Sequence, residues 1–245
     1  VYSVGGWRLA VGVREKKFLL SILCIFLAST YGYYKISRIP RNVSRAPLKV
    51  SLIQGNIPQE LKWTPGAEGF ILERYFGLSQ EAAKDYPALI IWPEASVPGF
   101  LGEDEWVFKA IFEKTKSIGI PILAGTVVRA EDKYFNSALL IDKQGEIAAR
   151  YDKLHLVPFG EYIPLKNTFK FLETIVPIGD FSPGRDYTIF RLSEFRGASE
   201  HQSIRAPAKF SVLICFEDTI PEISRGFVRR GADFLVNITN DGWFG

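Results

Sequence analysis

The sequence predicts an α/β layered domain preceded by a single membrane-spanning helix. Three observations carry that reading. Residues 18–34 (FLLSILCIFLASTYGYY) contain no charge, with Lys16 and Lys17 before them and Lys35 after. Beyond residue 47, short apolar runs alternate with longer amphipathic segments. The short runs are apolar nearly throughout rather than at every second position, as in strands covered by helices on both faces.

At ~1.5 Å rise per residue the uncharged run reaches about 26 Å, slightly short of a ~30 Å hydrocarbon core; snorkelling lysines and the terminal tyrosines close the gap. A signal peptide shares the basic-then-apolar order, but the run is long for a signal core and its tyrosine-rich end lacks a clear small-residue cleavage site. A buried core helix is the other alternative. Basic residues flank the span on both sides, so charge does not set its orientation. Residues 1–17 read as a loop and 35–47, which end in IPRNVSRAP, as a linker. Strands are expected at 49–57, 88–94, 120–128, 135–142, 209–215 and 232–239, with helices at 68–86, 105–117 and 222–230 and a turn at 143–145. Residues 165–190 break this rhythm with Phe169, Phe171, Leu172, Ile175, Val176, Ile178 and Phe181. A long loop of that kind serves as a lid or a binding edge.

Composition narrows the partners. The 245 residues, 47% hydrophobic and 23% charged, belong to an ordered globular chain. A formal charge of +3, without a basic stripe among aromatics, argues against a nucleic-acid partner. His155 and His201 are the only histidines, and no Cys/His cluster has ligand spacing, so neither a metal nor a cofactor is expected. Cys24 and Cys215 lie in unlike contexts, which speaks against a disulfide. The chain opens on Val1 and has no methionine, so a fragment is expected, with its true start upstream.

Four residues stand out against the pattern. Glu94 follows ALIIWP directly: it is either a solvated loop residue or a carboxylate held in a cleft at the strand's carboxyl end. Lys153, in RYDKLHLVPFGEYIP, reads alone as a surface residue. Glu161 lies in an apolar, proline-bounded stretch where a free charge is costly. Cys215 ends KFSVLIC and is either a small buried hydrophobe or a nucleophile. Together they supply a chemistry. A thiol needs a base, which a carboxylate in a water-poor cleft can be, and attack on an acyl carbon makes an oxyanion that needs a cation or backbone N–H groups. Glu/Lys/Cys is the economical assignment, with His155 structural.

IIWPEAS, YDKLHLVPFGEYIP, LICFED and VNITNDGWFG together resemble the carbon–nitrogen hydrolase (nitrilase) superfamily. QGNIPQELKW, the Pro-Phe-Gly-Glu-Tyr segment, the C-F-E-D order and the preceding span narrow the resemblance to its apolipoprotein N-acyltransferase family. The resemblance covers roughly residues 49–245 and the helix before them. It implies a nitrilase-like α-β-β-α sandwich, with Glu94 as general base, Lys153 as oxyanion stabiliser and Cys215 as nucleophile. Glu161 would position the lysine, the N–H of Phe216 would complete the oxyanion hole, and Glu217 matches a residue that follows the nucleophile, in a supporting or orienting role. Trp63, Phe169 and Phe171 would meet lipid. It further implies acyl transfer from a phospholipid donor, through a cysteine thioester, to the N-terminal amine of a diacylglyceryl-cysteine lipoprotein. The setting would be a cell inner membrane with the catalytic domain, 48–245, facing the periplasm, and the protein a monomer. Because the family carries eight membrane helices and continues past NDGWFG, a chain truncated at both ends is expected. Two rival readings remain: a membrane-tethered amidase or nitrilase acting on small amides, and a silent membrane-anchored interaction domain.

Overall fold

The computed structural model describes residues 5–38, 48–62, 64–158, 160–162, 181–192 and 208–240. Trp63, Phe169, Phe171 and residues 165–180 of the expected lid lie outside them. The chain divides into two compact units, Val1–Pro47 and Leu48–Gly245.

The first unit is one helix, α1 (Gly5–Ser37), longer at both ends than the uncharged run that announced it. Hydropathy marks only the part of a helix able to cross hydrocarbon, whereas the hydrogen-bond ladder continues through polar turns. Within it Glu15–Ser37 is long and apolar enough to span a membrane. Its 23 residues reach about 34 Å at ~1.5 Å each. Large apolar side chains along it are exposed, Phe18 at 67%, which a soluble core helix would not tolerate. Hydroxyls that hydrocarbon could not satisfy are tied to the helix itself, Ser21 donating to the Lys17 carbonyl (3.0 Å) and Thr30 to that of Phe26 (2.8 Å). At its end the Lys35 ammonium lies 5.7 Å from the Tyr31 ring centroid and the Arg38 guanidinium 4.5 Å from that of Tyr34, cation–π pairs suited to a membrane interface.

The second unit is two sheets with helices. The first sheet joins β1 (Val50–Leu52), β2 (Leu89–Ile91), β4 (Ile122–Ala130), β5 (Lys133–Ile141) and β6 (Ile147–Asp152) in that order, with β3 (Phe100–Leu101) beside β4. β1, β2 and β4 run parallel, and β5 and β6 complete it antiparallel. The row Ile91, Leu123, Leu140 belongs to one buried cluster and the row Ile90, Ile122, Ile141 to another, so alternate residues fill opposite faces. The second row packs under α3 (Glu68–Ala83) and α4 (Glu105–Ile118). α4 buries Val107, Phe108, Ile111 and Thr115, one stripe at helical spacing, and stops at Gly119, whose φ of 71° suits a residue without a Cβ.

The first row meets the second sheet, β7 (Phe190–Leu192), β8 (Ala208–Ile214) and β9 (Phe234–Ile238). Phe190, Phe210 and Phe234 are neighbours across it and stack with centroids 5.1 and 5.3 Å apart. A 3-10 turn (Cys215–Thr219) and α5 (Pro221–Arg229), which adds Ile223 and Phe227 to this cluster, connect β8 to β9. This is the layered, nitrilase-like sandwich expected. Some details differ. The strand expected over 49–57 pairs only at Val50–Leu52, giving way to a coil in which Asn56 takes φ 50° and to the short helix α2 (Gln59–Lys62). β6 and β7 carry no continuous apolar run; β6 buries only Tyr151 and is held as a strand by pairing with β5.

Candidate active site

Glu94 follows β2 through Trp92 and Pro93. Trp92 is anchored by its indole N–H donating to Ser79 Oγ (2.8 Å) and by the Tyr75 ring 4.9 Å away. The carboxylate reaches its position because β4 has Gly125 beneath it. A Cβ there would collide with the Pro93 carbonyl and stand 2.6 Å from the Glu94 Cα. The Gly125 carbonyl in turn accepts from Ser96 N, Val97 N and Ser96 Oγ, closing the turn after Glu94. Ala95 takes φ 45° in that turn, an uncommon backbone state for a residue with a Cβ.

Lys153 follows β6, which runs in the same direction as β2 because two antiparallel pairings separate it from β4. Its N–H donates to the Asn136 carbonyl (2.8 Å), its carbonyl accepts from Gly184 (2.8 Å), and the residue is 1% exposed. The ammonium lies 2.9 Å from Glu161 and 3.6 Å from Glu94 Oε1. Burial works against this charge, but Glu94 and Glu161 outweigh it and hold the lysine above its ordinary value. Glu161 is itself fixed by the Val157 N–H on its other oxygen (2.9 Å).

Cys215 stands at the end of β8 with φ 54°, half-buried. A cysteine forced into the left-handed region at a strand end costs on the order of 1 kcal/mol and turns its side chain out of the strand's alternation. Burial, and then the charge of Glu94, push its thiol up; the Thr239 hydroxyl, the Lys153 ammonium and the Phe216 N–H act against them. These influences together favour the protonated form of the thiol.

Glu217, two residues on, is fully buried and accepts from Ile214 N, Leu154 N, His155 N and Tyr151 Oη, all between 2.7 and 3.0 Å. It clasps the strand end that carries Cys215 to the one that carries Lys153. Burial raises this carboxyl above the usual range against those donors. His155 joins through its backbone N–H. Phe216 is half exposed beside the cysteine.

The structure thus brings Glu94, Lys153 and Glu161 together, with the Cys215 thiol inside the field of the first two. The sequence reading missed four neighbours. Asn136 Nδ2 donates to Glu94 Oε1 (2.8 Å) and to Glu161 Oε1 (2.7 Å). Asn240 N donates to Glu94 Oε2 (3.1 Å), and Thr239 bonds the thiol. Lys62, buried on α2, reaches the Glu94 carbonyl (3.5 Å); burial pulls its amine down to about 8, against the attraction of Glu94. An amide inside the strand FNSALLID was the one available signal, since a buried polar group requires partners. Lys62 also borders a recess of about 180 Å3 with a mixed lining, Pro65, Pro98, Phe100 and Trp106 beside Glu68 and Asp104. Among the described residues no group of three or more His, Cys, Asp or Glu has the arrangement of a metal site.

Residues 49–245 match the carbon–nitrogen hydrolase family, and the chain belongs to it. Its curated relatives include proteins named apolipoprotein N-acyltransferase. That of Geobacter metallireducens is 36% identical over 94% of this chain and 42% of its own, and that of Aquifex aeolicus 33% identical over 94% and 48%. That of Brucella suis biovar 1 is 32% identical over 91% and 42%. The chain therefore spans less than half the length of these relatives. Among solved structures, an amidase from Nesterenkonia sp. superposes with a TM-score of 0.55 at 19% identity, covering 78% of this chain and 64% of that one. A carbon–nitrogen hydrolase from Helicobacter pylori G27 does so at 0.52 and 21%, covering 78% and 59%. At such identities the likeness is one of fold.

Proposed function

We propose that this chain is the catalytic portion of an apolipoprotein N-acyltransferase, with residues 48–245 as the catalytic domain and the α1 unit as its membrane tether. The observation that carries the chemistry is the Glu94–Lys153–Glu161 cluster facing Cys215 at a strained strand end. The names of the relatives supply the substrate class. Glu94 takes the proton from Cys215 Sγ, which attacks the ester carbonyl of a phospholipid. The oxyanion is held by the Lys153 ammonium and the Phe216 N–H. Collapse expels the lysophospholipid alkoxide, which leaves with the proton from Glu94, and the acyl chain remains as a thioester on Cys215. The α-amine of a diacylglyceryl-cysteine lipoprotein then attacks the thioester and gives a proton to Glu94. Amide formation returns that proton to the Cys215 sulfur. Glu161 fixes the ammonium, and Glu217 keeps the two strand ends in register.

An apolar helix able to span a bilayer suits a substrate that does not leave one. The domain is read as facing the periplasm at a cell inner membrane, as a monomer. The deciding experiment is the intact mass of the full-length protein from membranes and of its Cys215→Ser variant, before and after hydroxylamine. The expected result is a hydroxylamine-sensitive fatty-acyl mass on the wild type only. No adduct, with turnover of small amides intact, would replace this reading by the tethered amidase.

A further inference from the structure

We propose that Asn136 is a positioning residue, the neutral clamp that holds Glu94 and Glu161 against the single Lys153 ammonium and keeps Glu94 aimed at Cys215. The inference rests on the reading of Glu94 as the base and concerns what makes that base usable.

Two acids and one amine are an unbalanced set. Glu94 Oε1 and Glu161 Oε1 both lie within hydrogen-bond reach of one nitrogen, so two like charges sit close together in a site largely closed to water. Lys153 cannot serve both equally: it is 2.9 Å from Glu161 and 3.6 Å from Glu94. Left to itself the longer contact is the one to give way. Asn136 closes the gap with its two amide hydrogens, one to each carboxylate, at 2.8 and 2.7 Å. Lys153 Nζ, Glu161 Oε1, Asn136 Nδ2 and Glu94 Oε1 thereby form a ring in which donors and acceptors alternate. The amide orientation follows from this chemistry, since an amide oxygen turned toward two carboxylates would be repelled by both.

The same residue holds the third member through its backbone, because the Asn136 carbonyl accepts the Lys153 N–H at 2.8 Å. Its backbone is in turn locked in the β4–β5 ladder, opposite Val127. The side chain is 6% exposed, and its Oδ1 has no hydrogen-bond partner among the described residues. A buried amide that leaves one of its own atoms unpartnered while giving both hydrogens to carboxylates serves the carboxylates. Neutrality matters. A second cation here would bind Glu94 too tightly for it to take the thiol proton, whereas an amide restrains Oε1 and leaves Oε2 with the Asn240 N–H at 3.1 Å. Among the described residues, Asn136 is the neutral side chain that donates to both carboxylates.

The test is single-turnover acylation of Cys215 by a p-nitrophenyl fatty ester. Intact mass follows it on the full-length protein from about pH 5 to about pH 9, as wild type, Asn136→Asp, Asn136→Ser and Glu94→Gln. Asn136→Asp keeps the shape, loses the donors and adds a like charge; Asn136→Ser keeps one shorter donor. Hydrogen bonds to a carboxylate favour its ionised form, so losing them binds the proton more firmly. Asn136→Asp is expected to lower the saturated acylation rate ~100-fold and to move its acid limb upward by about one pH unit. The ester concentration at half-saturation should stay unchanged, and Asn136→Ser should fall between. An acid limb and a saturated rate unmoved in both variants, or a lower rate with the limb unmoved and a depressed unfolding midpoint, overturns the role and leaves Asn136 a structural residue. Glu94→Gln separates the two failures: an acid limb that survives it removes the base reading itself, and this inference with it.

Discussion

Gly125 shows how one absent Cβ decides the position of a charge. The chain after β2 must turn sharply to seat Glu94 over β4, and it does so by lying directly on the Gly125 backbone. Gly125→Ala would force the Pro93 carbonyl and the Glu94 Cα away, as close-packed backbone has no side-chain rotamer with which to yield. The expected cost is about 2–3 kcal/mol of stability, together with a ~100-fold loss in Cys215 acylation from a displaced base. Urea unfolding and single-turnover mass measurements check the two separately, and near-wild-type values in both would show that the turn relaxes without moving Glu94. Cys215 and Ala95 carry the same lesson through their positive φ values: the two residues at the chemistry's edge hold backbone states that their own side chains disfavour.

At the scale of elements, the site depends on a clasp rather than on any one strand. β6 and β8 lead directly into Lys153 and Cys215 but belong to different sheets, so no ladder links their tips. Glu217 provides the link, gathering donors from Ile214 on one side and from Leu154, His155 and Tyr151 on the other. Glu217→Gln turns an acceptor-only group into one whose amide hydrogens face backbone N–H groups. Buried donors left unpaired cost ~1–3 kcal/mol each, so a loss of about 3 kcal/mol or more is expected, read from the shift of a urea unfolding midpoint. A shift smaller than about 1 kcal/mol would mean that the turn re-satisfies its donors elsewhere.

For the whole molecule, both hydrophobic clusters draw their described residues from 48–245 alone, while α1 exposes large apolar side chains from Phe18 to Ile36. Removing residues 1–47 is therefore expected to leave cooperative thermal unfolding of the remainder in place and to abolish its recovery with washed membranes. Circular dichroism and a flotation assay measure the two. A remainder that fails to unfold cooperatively would show that the helix supplies part of the core.

Much of this was legible in the residues themselves. The apolar runs at 88–94, 120–128 and 209–215 correspond to β2, β4 and β8, and the stripes at 68–86 and 105–117 to α3 and α4, because burial selects apolar residues locally and leaves that choice written in the chain. Glu94 and Cys215 were visible as polar or reactive groups at the ends of such runs, whereas Lys153, which follows the unannounced β6, stood out only beside them. What only the tertiary structure decided is which of these ends meet and what holds them. The Asn136–Glu94 bond joins residues 42 apart in sequence, and the Asn240–Glu94 bond residues 146 apart. β6 is a strand only because β5 pairs with it, Lys62 is buried from a single turn of helix, and Gly125 matters only because the chain after β2 lies against it. Hydrophobic pattern is a property of neighbours along the chain, whereas register, close approach and the mutual satisfaction of buried polar groups arise between residues that meet only once the layers have packed.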